Sequence, residues 1–364
     1  MKKQNQIKKH AMGAAAALLM TVAMSQIALA NDSVYVNTSS LRYRTSAQIK
    51  DNNIAGNLSY GQKLERVGSS GKWTTILLNG KKYYVSSEYV TSKKPASAGS
   101  VQATGQTATA QTSGGTSIAL SSNYKYANYS KINSGSATLY RTTASNKKNK
   151  VVCVNAGHGT SGGGKVKTQC HPDGSAKVTG GTTGAGATSA IAVSSGMTFA
   201  DGTAESKVTL AMAKILKTKL LNAGYDVLMI RESDDVQLDN IARTVIANNN
   251  ADCHIALHWD STNSNKGAFF MSVPSNATYR AMEPVASHWQ QHNQLGESLV
   301  NGLKGAGVKI YSKGSMEMDL TQTSYSTIPS VDIELGDKAS DHSNATLETL
   351  ANGLLAGVNA FFGK

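Results

Sequence analysis

Residues 33 to 91 carry short runs of alternating apolar and polar positions broken by turn residues. Ser39-Ser40-Leu41-Arg42-Tyr43-Arg44 alternates, Ile54-Ala55-Gly56-Asn57-Leu58 precedes the turn at Tyr60-Gly61, and Lys63-Leu64-Glu65-Arg66-Val67 alternates again before Gly68-Ser69-Ser70-Gly71. A strand from Trp73 through Ile76 and Leu78 is reversed by Asn79-Gly80, the strongest short hairpin signal, and Tyr83-Tyr84-Val85 closes the set. Short strands at this spacing predict a small all-β barrel. After residue 150 the period changes. Val151-Val152-Cys153-Val154-Asn155-Ala156, Tyr225 to Ile230, Cys253 to His258, Phe269 to Val273 and Val331 to Leu335 read as strands. Between and after them, Glu205 to Asn222, the stripe Leu238-Ile241-Ala242-Val245-Ile246, Val285 to Leu303 and the stripe Leu347 to Phe362 read as helices, with Thr203 as N-cap and Gly224 as C-terminal stop of the first. Strand and helix in alternation predict an α/β domain with a mainly parallel sheet flanked by helices.

Composition divides the rest. Residues 92–122 collapse to Ala, Ser, Thr, Gly and Gln, too little apolar surface to offset ordering entropy, and read as a flexible tether. Residues 123–149 are richer in tyrosine and are left unassigned. Residues 1–30 begin with Lys2, Lys3, Lys8 and Lys9, continue as a soft apolar stretch from Ala11 to Met24 and end in Ala28-Leu29-Ala30, the pattern of a secretory signal peptide cleaved after Ala30. Its removal takes the formal charge from +13 to about +9. For an exported basic protein an anionic cell envelope is the favoured partner over nucleic acid. Cys153, Cys170 and Cys253 form neither a disulfide framework nor a CxxC pair, and Cys153 and Cys253 read as core residues, with pairing conceivable if their strands are neighbours.

The first long strand runs into Gly157-His158-Gly159, which puts an imidazole just past the C-terminal end of a buried strand, where open α/β sheets collect their chemistry. Gly157-His158-Gly159-Thr160-Ser161-Gly162 also spells GxGxxG, but Gly163-Gly164-Lys165 continues as loop instead of opening a helix, which argues against a dinucleotide site. His258 ends a second strand, five residues after a cysteine as His158 is. Two histidines and one carboxylate would leave a zinc ion an open position for water. Of the two glutamates between them, Glu205 opens an amphipathic helix, while Glu232 lies in the turn Arg231-Glu232-Ser233-Asp234. Glu205 is the better ligand; its bland reading is a charge stabilising a helix N-terminus. Glu334 ends an otherwise apolar strand, where burial would raise its pKa as a proton shuttle requires; its bland reading is an ion-paired strand end.

Residues 150–364 resemble the zinc-dependent N-acetylmuramoyl-L-alanine amidases of the Amidase_3 type. The likeness rests on Gly157-His158-Gly159, Glu205 with Val208-x-Leu210-Ala211-x-Ala213-x-x-Leu216, Gly224-Tyr225-Asp226-Val227-x-x-x-Arg231, Leu238-x-x-x-Ala242-Arg243, His258, and Ile328-Pro329-Ser330-Val331-Asp332-Ile333-Glu334-Leu335-Gly336. It implies zinc held by His158, Glu205 and His258, Glu334 as catalytic acid/base, and cleavage of the amide joining the muramic lactyl group to L-alanine of the stem peptide. The chain departs from the family in Asn155 (usually Asp), in Asp260 (usually Asn), and in the long stretch 160–204 before Glu205. That stretch would form a rim or lid over the groove, and it brings Asp173 and Asp201 in as competing ligands.

Residues 33–91 resemble the bacterial SH3-type wall-binding domain in Leu41-x-x-Arg44, Gly61, Lys72-Trp73, Asn79-Gly80 and Tyr84-Val85-Ser86-Ser87-x-Tyr89. This implies attachment to peptidoglycan. The combined expectation is a secreted, wall-bound zinc amidase. The alternatives are a zinc peptidase cutting within the stem peptide and a non-catalytic wall-binding protein.

Overall fold

The computed structural model describes residues 32–37, 40–50, 53–59, 61–93 and 114–363. The signal-peptide reading of residues 1–30 and most of the tether lie outside them. The chain separates into two compact units, Met1–Gly105 and Gln106–Lys364.

In the first unit, strands β1 (Asp32–Val36), β2 (Ser40–Arg44), β3 (Ile54–Ser59), β4 (Lys63–Ser70), β5 (Trp73–Leu78), β6 (Lys81–Ser86) and β7 (Val90–Thr91) form one sheet in the order β3-β2-β6-β5-β4-β1-β7. Every pairing is antiparallel. Asn79 and Gly80 both take left-handed φ, 51° and 76°, the twist a tight hairpin needs, and so join β5 to β6. Alternation delivers Val34, Val36, Leu41, Leu58, Leu64, Ile76 and Val85 to one small core. Among the described residues β3 and β7, the two ends of this order, are not paired with each other.

The second unit is built on an eight-stranded sheet in the order β16-β15-β17-β14-β10-β13-β9-β8. Its strands are β8 (Thr116–Ala119), β9 (Ser136–Tyr140), β10 (Val151–Ala156), β13 (Asp226–Met229), β14 (Cys253–Asp260), β15 (Ala268–Ser272), β16 (Ile310–Glu317) and β17 (Ser330–Asp337); β11 (Lys167–Gln169) and β12 (Ser189–Ile191) make a separate hairpin. The helices are α1 (Glu205–Asn222), α2 (Asn240–Asn250), α3 (Ala277–Ala281), α4 (Val285–Gly305), α5 (Thr321–Tyr325) and α6 (Asn344–Phe362).

The sheet is mixed: four of its pairings, β15 with β16 among them, are parallel and three are antiparallel, so the parallel expectation holds for the centre and not for the flanks. β13, β10, β14 and β17 run parallel, but β9 pairs antiparallel with β13, β8 with β9, and β15 with β17. The extra strands come from the residues left unassigned and from the far end of the presumed tether. Ser136–Tyr140 alternates intermediate and buried positions, and Ala137 and Leu139 join the core under α2. Among the described residues no helix is long and apolar enough to cross a membrane.

The helix stripes do what their spacing predicts. Val208, Met212, Leu216 and Leu220 of α1 are buried against Val152, Val154 and Val227. The N-cap differs: Ala204 occupies it without a side-chain bond, and Thr203 lies one residue outside. Gly224 takes φ 95° just beyond the helix, the left-handed stop that spares a side chain the strain. Cys153 pairs with His254 while Val152 pairs with Cys253. That one-residue offset sends the two thiols to opposite faces of the sheet, into different cores, so neighbouring strands do not make them a pair. All three cysteines are free and buried.

A candidate metal centre at the strand ends

β10 and β14 lie side by side, so their C-terminal ends deliver His158 and His258 to one place. Leu257 O accepts from Gly157 N at 3.1 Å, which continues the ladder into the turn. A Cβ on Gly157 would run into the His258 ring, so only glycine lets the two meet. His158 itself takes φ 63°, a conformation costly for a side-chain-bearing residue.

Two buried arginines hold that turn. Arg231 donates to Ala156 O (3.1 Å) and Gly157 O (2.9 Å); Arg243 donates to Ala156 O (3.2 Å), His158 O (2.7 Å) and Leu238 O (2.9 Å). Each planar fork satisfies carbonyls that a sharp turn would otherwise bury unpaired. Asn155, where the family usually has Asp, accepts from Arg243 at 3.1 Å and contacts the buried His254 ring at 3.1 Å. Burial and the nearby Arg243 push the His254 imidazole down to about 3, so it stays neutral.

α1 aims Glu205 at both histidines. Its Oε1 lies 2.8 Å from His158 Nε2 and 3.2 Å from His258 Nδ1, and those nitrogens are 3.0 Å apart. Glu205 also accepts from Trp259 N (3.0 Å) and Met197 N (2.8 Å). Burial opposes its ionisation, yet His158 and His258 outweigh that and hold the carboxyl well below the usual range. His158 Nδ1 faces the carbonyl of Ser194 at 2.9 Å, an atom that can only accept, so the proton belongs on Nδ1 and Nε2 offers a lone pair. On His258, Nε2 points towards Asp332 Oδ2 at 3.6 Å, turning Nδ1 inward. Three electron-pair donors thus converge, which is stable only with a proton or cation among them. For ligands about 2.0–2.1 Å from a tetrahedral ion, neighbouring donors lie about 3.3 Å apart, and the observed triangle is close to that. Among the described residues this is the one group of three or more such side chains compact enough to hold a metal ion.

Glu334 stands beside His258 in the ladder between β14 and β17. Asp332, two residues earlier, shares its side of the strand. Glu334 is buried, and its Oε2 has no hydrogen-bond partner among the described residues; neither has Asp332 Oδ1. Burial first, then Asp332, pushes the Glu334 carboxyl well above its ordinary value, with His258 opposing. Burial raises the Asp332 carboxyl as well, again against His258. Burial disfavours the His258 cation, but Asp332, Glu205 and Glu334 prevail and lift it to about 10. All five side chains line one cavity of about 750 Å³, whose lining also includes Met271, Met316 and Met318.

The competing carboxylates go elsewhere. Asp173 accepts from Ser175 N and Oγ at 2.9 and 2.7 Å, and Asp201 faces His342 at 3.2 Å. Glu232 is tied to Lys217 (2.7 Å) and Tyr140 (2.5 Å), away from the histidines. Asp260 caps its own loop through Ser261 N at 2.7 Å and pairs with Lys266. Residues 160–204 carry the hairpin β11–β12 and line the cavity wall through Thr182, Ile191 and Ser194. Sequence reasoning gave no role to Asp332 or Ser194. Asp332 was legible as a carboxylate at i, i+2 from Glu334; Ser194, in a polar run of weak periodicity, carried no signal.

Residues 152–358, more than half of the chain, match the family model described as N-acetylmuramoyl-L-alanine amidase, Amidase_3. The chain belongs to this family. Its amidase domain is also similar to solved structures. The apo N-acetylmuramyl-L-alanine amidase Ami1 of Mycobacterium abscessus is 20% identical with a TM-score of 0.46, the match covering 58% of this chain and 98% of that one. For the amidase AmiC2 of Nostoc punctiforme the values are 16%, 0.42, 60% and 99%. For the N-acetylmuramoyl-L-alanine amidase of Clostridium difficile they are 16%, 0.42, 59% and 97%. No curated protein matches the sequence.

Proposed function

We propose that the chain is an exported, zinc-dependent peptidoglycan amidase that hydrolyses the amide between the lactyl group of N-acetylmuramic acid and L-alanine of the stem peptide. What carries the reading is the convergence of His158 Nε2, Glu205 Oε1 and His258 Nδ1 inside a domain of this family. A two-histidine, one-carboxylate set fits zinc, with a fourth position left for water. When bound there, zinc supplies Lewis acidity, acidifying water and polarising the lactyl carbonyl.

The remaining steps belong to the chain's own groups. Glu334, unpartnered at Oε2 and with a raised affinity for protons, takes the proton of the attacking water. It returns that proton to the nitrogen of L-alanine as the C–N bond breaks, so water and amide become carboxylate and amine. Asp332, facing His258, keeps that ring turned. The first unit, with its SH3-type motifs from Leu41 to Tyr89 and a basic composition, would hold the enzyme on peptidoglycan and raise its effective concentration there. Export would follow cleavage after Ala30.

Digestion of purified peptidoglycan is expected to release new L-alanine N-termini, seen by mass spectrometry of the muropeptides, and a strong chelator should stop it until zinc is restored. New termini elsewhere in the stem would identify a peptidase instead. Wall binding without any release would leave a binding protein.

A further inference from the structure

The stretch 160–204 lengthens the path from His158 to Glu205, and its last turn touches both. Residue 194 supplies two contacts to His158 Nδ1, from the Ser194 carbonyl at 2.9 Å and its Oγ at 3.0 Å. Met197 N donates to Glu205 Oε2 at 2.8 Å, and Glu205 N returns a bond to Met197 O at 3.0 Å. Between them Gly196 takes φ 81°, and a Cβ there would stand 2.7 Å from His158 Cδ2 and 2.8 Å from Glu205 Oε2. The turn is itself fixed upstream: Ala192 N donates to Val166 O at 2.9 Å and Ala192 O accepts from Asn240 N at 3.1 Å. A segment pinned at both ends and pressed against two ligands is more than a wall.

We propose that residues 194–197 are a positioning element of the metal centre. They fix His158 in the tautomer that presents Nε2 and brace Glu205 from behind, so the long insertion completes the site instead of only covering it. This rests on the reading of His158, Glu205 and His258 as ligands. Outer contacts of this kind are worth about 10–100-fold in metal affinity. Ser194 and Gly196 are positioning residues, since neither is placed on the substrate or the metal.

The test uses the full chain. Zinc affinity is measured by chelator competition for wild type, Gly196→Ala and Thr182→Ala, the last on the same cavity wall but outside the turn. Metal-free melting is followed for each. Histidine ¹⁵N shifts of the metal-free wild type report the tautomer of His158. Gly196→Ala is expected to weaken zinc binding at least tenfold, beyond the modest loss of metal-free melting that an alanine at φ 81° brings, and Thr182→Ala less than twofold. Gly196→Ala within twofold of wild type, or both variants weakened alike, overturns the proposal. Should Gly196→Ala lose more than that without metal, the tautomer decides: a proton on Nδ1 supports the proposal and one on Nε2 overturns it. A wild type that binds no zinc defeats the ligand reading itself, a result distinct from variants that bind as wild type does.

Discussion

Glu334→Gln is expected to lower the rate of peptidoglycan hydrolysis by about 10²–10⁴-fold while raising the melting temperature of the metal-free protein. Both effects come from one environment. The carboxyl is buried on β17 beside His258, with Asp332 on the same side of the strand and no partner for Oε2. Its pKa is raised in the folded chain, by burial first and Asp332 second. A carboxyl raised on folding favours the native state below its unfolded pKa and loses that contribution as pH climbs through the folded value. Above the unfolded value, where the unfolded chain ionises this carboxyl freely, holding it in its folded site therefore works against folding, and a neutral amide of the same shape relieves it. Gln cannot take up and return a proton, so turnover falls as stability rises. Muropeptide release and thermal melting at pH 7 measure the two; a variant that melts lower and still hydrolyses would show Glu334 to be structural.

Asp319→Ala is expected to cost about 3–5 kcal/mol, the usual penalty for stranding a buried charge. Asp319 is fully buried and Lys177 nearly so, their charges 2.9 Å apart. The same carboxylate accepts from Val178 N (2.6 Å) and Thr179 N (3.2 Å), with His171 Nε2 3.2 Å away. It thereby ties the insertion to the loop before α5. Burial opposes ionisation, but His171, Thr179 and Lys177 hold the carboxyl below its ordinary range. With a depressed folded pKa the contribution is present above the unfolded value of about 4 and disappears as pH falls towards the folded one. Urea unfolding should show the full loss at pH 7 and a smaller gap between variant and wild type at pH 3. Equal midpoints at pH 7 would overturn the assignment.

Periodicity made the helices and the inner strands legible, because a buried face imposes its repeat on the sequence. Glu205 could be chosen across a long gap because the start of an amphipathic helix can aim a carboxylate at the strand ends whereas Glu232 lies in a turn, and His158 and His258 because each ends a buried strand. Edge strands left weaker marks. Ile310–Glu317 buries only Gly314, so it shows no alternation to read. Thr116–Ala119 is exposed at three of four positions and resembles tether in composition. The edge strands β8 and β16 escaped notice for that reason. Ser194 was invisible on other grounds: it acts through a backbone carbonyl, which every residue has, and only the path of the chain places that carbonyl against an imidazole. The arginines stood out as motif positions, but most of their targets are main-chain oxygens, again unmarked in the sequence.

The hairpin of β8 and β9 bears on where this domain can be cut. The family match begins at Val152, whereas β13 is paired on its outer side by residues 138–140. A chain begun at the family boundary would bare the amide and carbonyl row of β13, together with the apolar patch that Ala137 and Leu139 cover. Such a fragment is expected to associate edge to edge, visible as a concentration-dependent species in light scattering, while one begun at Gly114 stays dispersed. The self-sufficient amidase unit of this chain is therefore larger than its family likeness.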